Sequence, residues 1–279
     1  MAVHPDVSVI IPVHDRPEAL ERAIASVLAQ RFEGTMEIVV VDDASRVPVP
    51  EKDEPRLRIV RHRVNRGAAE ARNTGIREAR GEFVAFLDSD DVWEPGKLAG
   101  QLAVMRAGPA DLVGVFTPYA FTHRPGRRIG PPPGVRDWFH YLLGGCRVGP
   151  GSTLLFRRNL ADSIGDQDPS LPRFEDWDWL LRAARIGPFA LASGPGALLE
   201  LSGRPSVETV SACIARMEER WLPRLAPLEA QRFRAALDIE RAAVASWNGQ
   251  RLAMIRHLTN ALRHDPASFA RELAARLLP

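Results

Sequence analysis

The chain has 279 residues, 45% hydrophobic and 26% charged, which is the composition of an ordinary globular protein large enough for one α/β domain or a domain with an appendage. Its 37 basic and 35 acidic residues leave a formal net charge of +2. That argues against a generally basic nucleic-acid coat, so no nucleic-acid partner is expected.

Cys146 and Cys213 are the only cysteines and form no close pair. They imply neither a disulfide framework nor a zinc knuckle, and they fit a reducing, cytoplasmic location. The start, MAVHPDVSVIIPV, lacks a basic segment followed by a long apolar core, so a first strand is expected there and not a signal peptide. No run approaches the roughly 20 apolar residues that span a bilayer.

Residues 7–13 (VSVIIPV) form a short, β-branched apolar run, the pattern of a parallel strand buried on both faces. Asp15 with Glu18 has the spacing of a capping box, and Pro17 suits a first helical turn. Leu20, Ile24, Val27 and Leu28 then give one apolar stripe. The turn has no glycine-rich fingerprint, so neither a dinucleotide fold nor a P-loop is supported. Residues 37–41 (EIVVV) read as a second buried strand ending at Asp42-Asp43-Ala44-Ser45. Acids at that end of a parallel strand sit on the ligand-binding edge, although capping a turn is the plainer role for an isolated pair.

Residues 57–61 are a third strand, Asn65-Arg66-Gly67 a turn, and residues 68–79 a helix whose Ala68, Ala71, Gly75 and Ala79 allow close packing on a sheet. Arg72 and Asn73 lie one turn into it, where a helix start and an arginine both favour phosphate. Residues 83–95 (FVAFLDSDDVWEP) run from a buried strand into Asp88, Asp90 and Asp91. So much negative charge at a strand end is offset most readily by a divalent cation and the anion it carries. Asp88 and Asp90 are two apart, which on an extended backbone points both to one side.

Residues 95–105 read as a helix and 112–119 as a further strand. The Arg-, Gly- and Pro-rich residues 122–133 read as a connection or surface loop. A short amphipathic piece at 137–143 precedes a Gly-rich turn into residues 152–156 (STLLF). Residues 174–187 (FEDWDWLLRAARIG) suit a helix with Glu175, Asp176 and Asp178 in its first turn, where ordinary capping is the plainer role. Short strand-like pieces follow at 190–201. Residues 207–278 read as helices broken near residues 223–227, 248–249 and 265–266. The basic, amphipathic piece 250–264 (QRLAMIRHLTNALRH) fits an anionic membrane face or a partner, with packing on the main domain as the plainer reading.

In series, VSVIIPVHDR, EIVVVDDAS, NRGAAEARNTGI, GEFVAFLDSDD and FEDWDWLLR resemble the family 2 glycosyltransferases over residues 7–204. The resemblance implies an α/β GT-A fold, a Rossmann-like nucleotide-binding sheet flanked by helices. That domain would span residues 1–205, with a nucleotide-binding half to about 120 and an acceptor half beyond it, and residues 206–279 would be a helical C-terminal extension. It further implies an inverting transferase of polysaccharide biosynthesis that takes a nucleotide-diphosphate sugar, UDP-sugar favoured, and Mn2+ or Mg2+. The acceptor would be a carbohydrate, lipid-linked or other hydroxyl.

Position by position, Pro12, His14 and Arg16 match the first nucleotide-contacting loop, and Asp43 the acid that recognises the base. Gly67 and Arg72 fall in the segment that closes over the nucleotide. Asp88-Ser89-Asp90 matches the DXD motif, with Asp90 the direct metal ligand and Asp88 beside it. Glu175-Asp176 matches the ED motif with Asp176 as catalytic base. Ser152 and Trp177 fall where acceptor contacts are found. One departure is that the segment LSGRPSVET holds Arg204, a candidate diphosphate partner, but lacks the family's histidine. The rival readings are a sugar nucleotidyltransferase and a catalytically degenerate GT-A module that binds a nucleotide sugar or scaffolds a partner.

Overall fold

The computed structural model describes residues 4–201, 203 and 205–270. Its strands are β1 (Val7–Val13), β2 (Met36–Asp42), β3 (Leu57–Arg61), β4 (Phe83–Phe86), β5 (Val92–Trp93), β6 (Gly114–Phe116), β7 (Tyr119–Phe121), β8 (Arg124–Ile129), β9 (Leu155–Arg157), β10 (Phe189–Leu191) and β11 (Ala197–Leu199). Its helices are α1 (Pro17–Leu28), α2 (Gly67–Glu78), α3 (Lys97–Ala107), α4 (Trp138–Leu143), α5 (Pro150–Thr153), α6 (Ala161–Ile164), α7 (Glu175–Ala183), α8 (Val207–Trp221), α9 (Pro227–Trp247) and α10 (Arg251–His264).

A seven-stranded sheet in the order β10-β6-β9-β4-β1-β2-β3 carries the fold. Only β9 runs against its neighbours; β1 is parallel to both β2 and β4. With strands 3-2-1-4 side by side, the chain leaves β1 in one direction for β2 and reaches β4 on the other. Open α/β sheets bind ligands at such a switch, beyond the carboxyl ends of the strands. Alternation along β1 divides the core. Val7, Val9, Ile11 and Val13 pack on the α1 and α3 side, while Ile10 packs on the side of α2. Gly75 lies so close to Ile10 that any side chain there would clash, so the glycine lets α2 press on the sheet.

The C-terminal helices share this core. Val210, Cys213, Ile214, Met217 and Trp221 of α8, and Phe233, Ala236, Leu237 and Val244 of α9, join the cluster that contains Val84, Phe86 and Trp179. Trp177 meets Phe233 edge-on at 5.4 Å. α8 and α9 thus pack on the main domain, where fully burying each such side chain is worth about 1.5–3 kcal/mol, whereas the piece 250–264 forms α10 and packs on α9. No helix among the described residues is long and apolar enough to cross a membrane.

Three local expectations are corrected. Residues 112–119 are not one strand: Thr117-Pro118 splits β6 from β7, and the two belong to different sheets. Proline has no N–H to continue a ladder. Residues 122–133 are not only a loop, because β8 pairs with β7 and Arg128 forks onto Glu94 at 2.5 and 2.6 Å. Ser152 lies in the short helix α5. Asp15 does not cap α1. Its backbone is left-handed (φ 53°), Arg16 holds the cap position, and the Asp15 carboxylate accepts instead from the backbone N–H and Nε of Arg46 at 2.8 and 2.7 Å.

Candidate active site

The end of β2 separates its two acids. Asp42 is buried and accepts from the N–H groups of Ser45 (2.8 Å) and Val49 (3.2 Å) and from Arg61 (2.9 Å), so it holds the turn. Asp43 faces the entry of α2, where its oxygens accept from the N–H of Arg66 (2.8 Å) and of Gly67 (2.7 Å) and pair with His62 Nδ1 (2.7 Å). Gly67 has φ +85°, a backbone that favours glycine. His14 Nδ1 lies 2.9 Å from the Asp43 carbonyl, fixing the loop after β1 to the end of β2.

Beyond β4 the backbone is a tight turn, closed by the Asp91 N–H on the Asp88 carbonyl at 3.0 Å, and not the extended strand the motif suggests. The turn sends its acids to different partners. Asp88 takes Arg72 at 2.7 Å, and Asp90 pairs with Arg16. Asp91 turns inward, accepting from the Ser152 hydroxyl at 2.5 Å and the Glu200 N–H at 2.8 Å. Burial, then the nearby Asp88 charge, pushes its carboxyl up to about 8. Ser152 also accepts from the Asp88 N–H at 3.0 Å, so one hydroxyl pins both ends of the turn.

Arg72 is buried and bridges Asp88 to Glu175, at 3.0 Å. Burial works against its charge, but Asp88 and Glu175 outweigh burial and hold the guanidinium protonated. Asn73 does not face a phosphate path. It is fully buried and clamps the backbone of Gln167, with both contacts at 2.8 Å. Phe174, at φ 69°, starts α7 in a left-handed conformation that a bulky residue rarely adopts. The chain so bent delivers Glu175 to Arg72 and Asp176 to a narrow pocket shared with Arg72, Gly151 and Gln167. Burial, then the Glu175 charge, pushes the Asp176 carboxyl up to about 7, against the pull of Arg72 and of the Trp177 N–H at 2.6 Å. Gly151 sits against Asp88 so tightly that a side chain there would clash with its carboxylate.

Pro12, His14, Arg16, Asp43, Gly67, Arg72, Asp88, Ser89 and Asp90 all line one cleft of about 340 Å³, together with Asn65 and Ala68. Arg72 belongs both to this cleft and to the Asp176 pocket, so the two adjoin. Ser152 and Trp177 do not open onto either. The Ser152 hydroxyl is consumed by the Asp88–Asp91 turn. Trp177 is buried, with its indole N–H on the Leu142 carbonyl at 2.8 Å. The acceptor contacts expected of them are therefore corrected to structural roles. Arg204 lies outside the described residues. Gln167, Gly151 and the Ser152–Asp91 bond escaped sequence reasoning, because each depends on segments some 60 to 95 residues apart meeting in space.

Among the described residues no three His, Cys, Asp or Glu side chains converge as a complete metal site. Asp88 and Asp90 both line the cleft, and each gives one carboxylate oxygen to an arginine. Two hard oxygen donors suit Mg2+ or Mn2+ when phosphate oxygens and water complete the shell.

The family model described as Glycosyl transferase family 2 matches residues 8–165, more than half of the chain. The UDP-Glc:alpha-D-GlcNAc-diphosphoundecaprenol beta-1,3-glucosyltransferase WfgD of Escherichia coli is 39% identical over 103 residues, 36% of this chain and 40% of WfgD. The succinoglycan biosynthesis protein ExoO of Rhizobium meliloti is 43% identical over 99 residues, 34% of this chain and 28% of ExoO. Both matches span less than half of the relative's length. The crystal structure of S. aureus TarS 1-349 in complex with UDP-GlcNAc superposes with a TM-score of 0.63 at 18% identity, covering 93% of this chain and 81% of that one.

Proposed function

Because the chain belongs to glycosyl transferase family 2 and has the GT-A fold, we propose that it is an inverting glycosyltransferase. In this reading it moves a sugar from a nucleotide-diphosphate donor, UDP-sugar favoured, to an acceptor hydroxyl. The observation that carries the reading is the adjacency of two unlike sites: a cleft rich in arginine and acids, and beside it a carboxyl, Asp176, poised near neutrality.

Asp43 reads the base, while Pro12, His14 and Gly67 form the walls around the nucleoside. Arg16 and Arg72 lie along the diphosphate path. Arg16 pairs with Asp90 and Arg72 with Asp88, so both cations are already held where phosphate charge will come. Asp90, supported by Asp88, would hold Mn2+ or Mg2+, which when bound supplies positive charge to the departing diphosphate. Asp176 accepts the proton of the acceptor hydroxyl as its oxygen bonds to the anomeric carbon. The bond from that carbon to the diphosphate breaks, and its electrons leave with the nucleotide. A base placed near pH 7 is well matched to this work. A single displacement of this kind inverts the anomeric configuration.

The named activity of WfgD and the named pathway of ExoO favour a polysaccharide or lipid-linked acceptor. A lipid-linked acceptor also gives a role to α10, whose solvent face mixes Leu252, Ile255 and Leu262 with Arg251, Arg256 and Arg263. No acid interrupts this helix, as on helices that lie in an anionic membrane surface. Residues 206–279 would then be an extension serving the acceptor side. Calorimetry with UDP tests the donor site: binding that needs Mn2+ or Mg2+ is expected, and equal affinity in EDTA would remove the metal from the scheme.

A further inference from the structure

Asp178 stands in the first turn of α7, where capping is the ordinary task of an acid. The structure gives it another. Asp178 is completely buried, and its carboxylate accepts from Arg182 Nε on the same helix at 3.1 Å. From α8 it accepts from Arg220 at 2.8 Å and from the Trp221 indole N–H at 2.9 Å. Three donors, two of them cations, offset the cost of burying the charge. Arg220 reaches further. Its other terminal nitrogen donates to Asp168, so one guanidinium on α8 joins α7 to residues 164–168. A salt bridge between two exposed groups is worth little, but here one partner has no access to water.

Residues 164–168 form a wall of the Asp176 pocket. Gln167 lines that pocket together with Asp176, and Asn73 of α2 holds the Gln167 backbone from behind. The wall is tied to α7 by Trp179 Nε1 on the Gly165 carbonyl at 2.9 Å and by Arg182 on the Asp166 carbonyl at 2.7 Å. Asp176 itself accepts only from the Trp177 N–H, the next residue of its own helix. Among the described residues no hydrogen bond from outside α7 reaches its carboxylate. The place of that carboxylate is therefore set by how α7 sits against the wall, and Arg220 grips both.

We infer that Arg220 is a positioning residue for the proposed base: by holding Asp178 and Asp168 together it sets Asp176 against the wall that carries Gln167. The inference rests on the transferase reading above. Arg220 lies on α8, beyond the family-matched residues 8–165, so the helical extension completes the site as well as covering the core. It acts through position and not through its own charge. The charges that bear on Asp176 are those of Glu175, Arg72 and Asp88, with the Cys146 thiol also near. A change in the Asp176 carboxyl on loss of Arg220 therefore reports a displaced or wetted group.

Carbon NMR of the aspartate carboxyls on the full chain tests this without a sugar substrate, with the Asp176 signal assigned by its loss in Asp176→Asn. In the wild type that signal should titrate at about 7. Arg220→Met should let water into the pocket and lower the midpoint by about one pH unit or more, towards the ordinary carboxylate range. Asp168→Asn frees the wall but leaves Asp178 its partners. It should lower the midpoint in the same direction at a smaller loss of melting temperature, and it decides the question if Arg220→Met fails to fold. UDP affinity by calorimetry with Mg2+ should be unchanged in both. A purely structural Arg220 would lower the melt and leave the midpoint in place; that result overturns the inference while the transferase reading stands. A wild-type Asp176 that titrates in the ordinary range removes the base and the role of Arg220 together. If UDP fails to bind the wild type with metal present, the transferase reading falls and the inference with it.

Discussion

The donor cleft and the acceptor side follow opposite electrostatic plans. In the cleft every acid is already matched: Asp43 by two backbone N–H groups and His62, Asp88 by Arg72, and Asp90 by Arg16. On the other side Asp176 has no ion pair among the described residues; it accepts only from the Trp177 N–H. The difference follows from what each side is proposed to meet. A diphosphate is strongly anionic, and a cleft that binds it needs cations held ready in place. A hydroxyl is neutral, and a carboxylate can polarise or bind it only if no cation has claimed it first.

The largest way to break this comparison is at Asp176. Asp176→Asn should lower transfer by about 10²–10⁴-fold while leaving UDP binding intact, as read by turnover and calorimetry. Near-normal turnover would mean that the unpaired carboxyl is not the base. In the wild type, a base with its carboxyl at about 7 is active when deprotonated. kcat/KM should therefore fall about tenfold per pH unit below that point and level off above it.

Arg72→Met removes the cation on which Asp88 and Glu175 converge. Breaking a buried pair costs about 3–5 kcal/mol, and because Asp88 is a third exposed, about 2–3 kcal/mol is expected here, read as a lower denaturation midpoint. An unchanged midpoint would show that the matched plan of the cleft carries no stability. Removing the metal with EDTA should weaken UDP binding by about tenfold or more, the step from two donors and a cation to two carboxylates facing a diphosphate.

Asp91 sharpens the comparison at the boundary. Its folded carboxyl is raised to about 8 above the unfolded 3.8, so the folded state holds the extra proton between these values. The stabilisation is full below the unfolded value and is lost as pH rises through about 8. Asp91→Asn should therefore flatten the fall of the melting temperature between pH 5 and about 8.5, which differential scanning calorimetry would register. The smallest effect is expected at α10. Salt-sensitive binding to phosphatidylglycerol vesicles should drop in the Leu252→Glu, Ile255→Glu variant, and its persistence would leave α10 only its contact with α9.

Much of the donor side was legible in the chain, because it is written in local signals. An apolar run stops at an acid, and that acid falls at the carboxyl end of a parallel strand. The nine residues that the family resemblance marks for the nucleotide meet in one cleft. Errors arose where local pattern and tertiary demand diverged. Asp15 had the spacing of a cap but serves Arg46, since a left-handed backbone carries it out of the cap position. Ser152 looked like an acceptor contact, yet the inward turn of Asp91 takes its hydroxyl. Asn73 looked like a phosphate ligand, yet the buried backbone of Gln167 needs it.

By itself the sequence determined the order of the elements, the strand ends that face the ligand edge and the acids placed there, since period and punctuation act over a few residues. Only the tertiary structure decided which acid meets which cation. It alone set Asp176 in a pocket whose burial raises its carboxyl to neutrality. Burial and pairing depend on residues distant in the chain, and no local pattern encodes them.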